Sequence, residues 1–185
     1  MIIIPDTQFP AGIIDSKTAF GSSVTPEAVF IWRGRLVEME TMNLEDLICS
    51  LRSSKPSQGY RAFQQLLEIG RDSDVLSGYL EEFLSLSEGK NSYLRTRGLL
   101  LLCANAKWDS AGKINAALER ILGHITDEKP IVSRQFIQSL PELLQGKPEV
   151  REQVREALLK ADLSRYADSM QPLVERDIQK ALSEI

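Results

Sequence analysis

The chain has 185 residues, 43% hydrophobic and 26% charged, with a formal net charge of −4. That length suits one compact domain with at most a small appendage, and the apolar content is enough for a core. The acidic balance counts against a general nucleic-acid binder. Two isolated cysteines, Cys49 and Cys103, make no disulfide framework and read as buried free thiols of a reducing cytoplasm.

Residues 1–41 differ from the rest. The start, Met1-Ile2-Ile3-Ile4-Pro5-Asp6, carries no basic leader and no apolar run of signal-peptide length. Pro5, Pro10, Gly12, Gly21 and Pro26 punctuate the first 26 residues. Ala28 to Met39 then reads as two short strands around Arg33-Gly34, because Val, Ile, Phe and Trp favour strands and glycine suits a tight turn. The expectation is a short N-terminal β-hairpin extension over 1–41, followed by a helical domain over 42–185.

From Asn43 the apolar spacing is helical. Asn43 caps a first helix through Leu44, Leu47, Ile48 and Leu51, which Ser53 to Pro56 breaks. A second helix carries Tyr60, Phe63, Leu66, Leu67 and Ile69 and ends at Gly70. A third runs from about Asp74 to Gly89, and Asn91 caps a fourth to about Ala106. Asp109 or Ser110 caps a fifth with Ile114, Leu118, Ile121 and Leu122 on one face. Pro130 opens a sixth, in which Pro141 predicts a kink or break. Pro148 opens a seventh. The eighth spans about Arg165 to Leu182, with Pro172 predicting a kink or a late start. The most apolar stretch, Gly98 to Ala106, is too short to span a bilayer and reads as a central buried helix.

Three stretches repeat. Aligning Arg61, Arg97 and Arg134 gives steps of 36 and 37 residues, each arginine followed by a small or polar residue and an apolar run. A period of this size with two helices per unit marks an α-helical solenoid, whose units bury their apolar faces only by stacking. Eight helices make about four antiparallel pairs, the last one degenerate.

The stretches Asn91-Ser92-Tyr93-Leu94-Arg95-Thr96-Arg97 and Asp127-Glu128-Lys129-Pro130-Ile131-Val132-Ser133-Arg134 resemble the second helix of a repeat in the HEAT-like, armadillo-type superhelix. The resemblance implies an all-α, right-handed αα-superhelix. Together with Asn105-Ala106-Lys107-Trp108-Asp109 and His124 to Pro130, these stretches make residues 42–185 similar to small bacterial proteins sometimes labelled SufBD-like, after an iron–sulphur assembly scaffold. No cluster site accompanies the likeness in this sequence.

The candidate partner-binding residues are Arg95, Arg97, Arg134, Lys107 and Trp108. Evenly spaced arginines offer planar forks to an acidic peptide or to phosphates, and also suit the bonding of one repeat to the next. Trp108 beside Lys107 can anchor a partner or cap a helix. His124, the one histidine, has no cysteine or paired carboxylate around it to make a metal site, and suits a helix C-terminus. Glu81-Glu82 and Asp72 with Asp74 read as solvated surface. No phosphate loop, Cys-x-x-Cys pair or nucleophile elbow occurs, so no catalytic, cofactor or metal residue is assigned.

The expectation is a non-enzymatic interaction scaffold or adaptor in the cytoplasm, free of cofactors and membrane, with an unknown protein or peptide partner. One alternative is a nucleic-acid-binding protein of DNA-glycosylase-like type using Arg95, Arg97, Lys107, Trp108 and Asp109. The other is a dimerisation or regulatory module in which the N-terminal hairpin adds a strand to a second copy.

Overall fold

The computed structural model describes residues 43–53 and 55–185. These fall in the second of two units, Met42–Ile185. The hairpin expected over residues 28–39, and dimerisation through it, lie outside the described residues.

The described part is all helix, with no strand. In order come α1 (Leu44–Ser50), α2 (Pro56–Asp72), α3 (Leu80–Ser87), α4 (Ser92–Ala104), α5 (Lys113–Ala116), α6 (Leu118–Leu122), α7 (Pro130–Gly146), α8 (Arg151–Leu159) and α9 (Gln171–Glu184). Short 3₁₀ turns at Ser77–Tyr79, Ala106–Trp108, Gly123–Thr126 and Pro148–Val150 link them.

The sequence pattern explains most boundaries. Asn91 Oδ1 accepts hydrogen bonds from the backbone N–H groups of Tyr93 at 2.9 Å and Leu94 at 3.4 Å, capping α4. Asp109 does the same for α5, taking the N–H of Lys113 and of Ile114, each at 2.9 Å. Pro56, Pro130 and Pro172 sit in the first turns of α2, α7 and α9, where their missing N–H costs nothing.

Three elements differ from expectation, and α9 takes one of the two forms that Pro172 predicts. The third helix begins at Leu80 after a 3₁₀ turn, not at Asp74. The fifth is split at Ala117 into α5 and α6 and tightens into a 3₁₀ turn before Asp127. α7 runs unbroken through Pro141, which deprives the Ile137 carbonyl of its usual intrahelical donor without ending the helix. α9 takes the late start, so residues 160–170 hold no α-helix.

α2, α4, α7 and α9 pack side by side in that order. α1 backs α2, α3 backs α4, and α8 touches α9, while the turn after α6 lies against α7. α4 is enclosed by three helices, which is why its buried set, from Gly98 and Leu99 to Leu101, Leu102, Cys103 and Ala104, runs almost all round the helix. Gly98 permits a close approach of α3. A Cβ there would stand 2.5 Å from the Phe83 carbonyl and 2.6 Å from the Ser87 amide of α3. Fully buried Leu66, Phe83, Leu99, Leu102, Phe136 and Val174 join the row into one continuous core.

Candidate functional site

The polar residues picked out by the repeat lie between neighbouring helices. Arg95, 5% exposed, uses all five of its N–H donors. Nε and Nη2 reach Asp127 Oδ2 at 2.9 Å and Oδ1 at 2.8 Å. Nη1 takes the Gly89 and Lys90 carbonyls, each at 3.0 Å, and Nη2 also donates to Glu128 Oε1 at 3.0 Å. Asp127 is equally occupied. It lies 2.8 Å from His124 Nδ1 and accepts the Lys129 N–H at 2.8 Å, while its carbonyl takes the Tyr166 hydroxyl at 2.6 Å. Burial alone would push the Asp127 carboxyl up. The hydrogen bonds from His124, Arg95 and Lys129, with the Arg95 charge, outweigh it and hold the group well below the usual carboxylate range. Burial pushes the Tyr166 phenol up.

The other arginines of the repeat behave differently from one another. Arg97 is buried and donates to the Leu51 carbonyl at 2.6 Å, with Gly59 leaving room for its guanidinium. It has no carboxylate partner among the described residues, and burial lowers its affinity for the proton. Arg134 is half-buried and pairs through Nε with Asp177 of α9, whose other oxygen accepts from Gln138 at 3.0 Å. Arg61 is exposed.

Lys107 and Trp108 close the C-terminal end of α2, not that of their own helix. Trp108 Nε1 donates to the Gly70 carbonyl at 2.8 Å, and Lys107 Nζ donates to the Arg71 carbonyl while lying 4.7 Å from the Trp108 ring centroid. Lys147 repeats the motif one unit later, reaching the Asp109 carbonyl at 2.8 Å. Nothing in the repeat alignment singled out Lys147 or Tyr166.

Thus Arg95 and Arg97 sit at one end of α4, and Lys107, Trp108 and Asp109 at the other. At about 1.5 Å of rise per residue the two groups are roughly 18 Å apart. They do not converge on one site. No group of His, Cys, Asp and Glu among the described residues is disposed to hold a metal ion. A small cleft of about 50 Å³ opens beside Cys103, between Arg71, Lys107, Glu142 and Gln145. Across it Arg71 Nε and Nη2 meet Glu142 Oε1 and Oε2 at 2.6 and 3.0 Å. The Cys103 thiol is pushed up to about 12 by burial, which leaves it inert in the cleft wall.

What stays open is the side of the row away from α1, α3 and α8. It carries Tyr93, Thr96 and Leu100 of α4 and Ile131, Gln135 and Gln138 of α7. Tyr60, Tyr93 and Ile131 are among the most exposed large apolar residues, at 57%, 76% and 54%. Helical spacing alone places Tyr60 on the apolar face of α2. The usable signal for the other two was position, since Tyr93 and Ile131 each follow a helix N-terminus by one residue.

No family model, curated protein or solved structure matches the chain. No helix among the described residues is long and apolar enough to cross a membrane.

Proposed function

We propose that residues 42–185 form a HEAT-like αα-solenoid of about four helical pairs that serves as a non-enzymatic protein-binding scaffold. One observation carries this reading. Among the described residues, the longer-range side-chain hydrogen bonds link residues 30 to 46 apart in sequence, and only Arg71–Glu142 departs from this, at 71. That is the contact pattern of stacked units. It engages the groups most able to do chemistry, Arg95, Asp127, Lys147 and Asp109, in holding units together. The row α2–α4–α7–α9 then offers a free face rich in Tyr, Thr and Gln to a partner chain.

The test is affinity capture from the native cell with the wild-type chain, a Gln135→Arg variant on the free face and an Arg155→Glu variant on exposed α8. The reading expects a defined protein partner that is lost with Gln135→Arg and retained with Arg155→Glu. Capture unaffected by Gln135→Arg, or enzymatic turnover by the purified chain, would overturn it.

A further inference from the structure

We propose that the N-terminal turns of α2, α4 and α7 form a docking edge for an acidic segment bearing apolar side chains. The inference rests on the scaffold reading above and assigns a chemistry to one end of its face.

The three helices begin side by side. Gly59 of α2 lies against Arg97 of α4, and Arg95 of α4 reaches Asp127 just ahead of α7. The first turns of α4 and α7 present Tyr93 and Ile131, and the start of the second turn of α2 presents Tyr60, each more than half exposed. Neighbouring helices pack about 8–10 Å apart, so these side chains fall on one patch a short peptide can cover.

Cations predominate at this end. Lys55, Arg61, Lys90 and Lys129 are exposed, and none pairs with a carboxylate among the described residues. Of the carboxylates nearby, Asp127 and Glu128 are engaged by Arg95 and Glu88 by Arg120, which leaves exposed Asp162 and Asp168 on the segment that reaches Thr126 and Asp127 through Arg165 and Tyr166. An acidic protein therefore presents a cationic edge interleaved with exposed apolar side chains. Glutamates and aspartates of a partner would meet the lysines and Arg61, and its apolar residues would cover the tyrosines and Ile131.

Single-stranded nucleic acid is the rival occupant, since cations and tyrosines also suit phosphates and bases. Two observations favour the peptide. Ile131 offers no stacking plane, and the face beyond the edge carries exposed Gln135, an amide suited to a peptide backbone. The net charge of −4 also opposes a long phosphate chain.

Fluorescent short peptides of Glu–Leu, Glu–Ser and Lys–Leu composition, with oligo-dT as a fourth probe, test this by anisotropy on the full chain. Glu–Leu is expected to bind at least about tenfold tighter than the other three, and less well in high salt. Tyr93→Ala and Lys129→Glu each weaken it about tenfold while leaving the melting temperature unchanged, both side chains being exposed. Equal binding of the three peptides, or tight binding that survives Tyr93→Ala and Lys129→Glu, overturns the edge. If Glu–Leu binding survives those variants and falls with Gln135→Arg, the scaffold reading stands and this edge fails. Tight binding of oligo-dT alone overturns both.

Discussion

Arg95 and Asp127 meet as two planar forks, fully occupied and almost fully buried, with the carboxylate contributed by the turn between α6 and α7. A pair this deep costs a large desolvation, repaid by geometry and by the remaining hydrogen bonds. Its value is registration: the fork fits one position of α7 against α4 and no other.

Removing one partner leaves the other charged and buried. Asp127→Asn is expected to destabilise the fold by about 3–5 kcal/mol in urea denaturation at neutral pH. The pH dependence has a defined sign. A carboxyl held below its unfolded value of about 3.9 stabilises the fold fully above that range, and loses the contribution as pH falls toward the lower folded value. The gap between wild type and Asp127→Asn therefore narrows as pH falls below about 4. A gap independent of pH would show that the carboxylate charge is not what matters.

Two glycines separate packing from propensity. Gly98→Ala should destabilise despite alanine's better helix propensity, because the new Cβ meets the backbone of α3. Gly123→Ala has nothing within 4 Å and a helical φ of −54°, and should be neutral or gain about 0.4–1 kcal/mol. Thermal melts of the two variants check both signs at once.

Trp108→Phe keeps an aromatic ring but deletes the N–H that closes α2. A loss of about 1 kcal/mol is expected, read from chemical denaturation followed by circular dichroism. Lys107→Met in the same background also removes the bond to the Arg71 carbonyl, and should cost less there than in the wild-type background only by the part of its contact with the Trp108 ring that phenylalanine has lost. A fully additive second loss would mean that the two residues cap independently.

The two thiols should separate kinetically. Cys49 is exposed, whereas Cys103 is buried, accepts a hydrogen bond from Ser139 at 3.3 Å and is pushed up to about 12 by burial. A thiol reagent at neutral pH should label Cys49 quickly and Cys103 only as the helices open. Equal rates would place Cys103 outside the core.

The helical character was legible because apolar spacing, caps and prolines all agreed. Asn43, Asn91, Pro130 and Pro148 mark starts within a residue or so of where helices begin. The break allowed for at Pro141 does not occur, because packing on both flanks holds α7 together across one missing hydrogen bond. The candidate site was less legible. Spacing placed Arg61, Arg97 and Arg134 at equivalent positions without revealing that one is exposed, one bonds a carbonyl and one bonds Asp177. Those outcomes depend on what the neighbouring helix offers, which no single repeat encodes. Tyr93 and Ile131 escaped notice because an exposed apolar residue in a first turn has the same composition as a buried one.

The contact between Arg71 and Glu142 has a consequence for cooperativity. It joins α2 to α7 across α4, whereas the rest of the row α2–α4–α7–α9 touches helix by helix. Both side chains are partly open to water, so the pair adds at most a few tenths of a kcal/mol, and less in salt. Its reach matters more than its strength. Opening of the α2 end and of α7 is therefore weakly linked, and the shared part of their amide exchange should shrink as salt is raised.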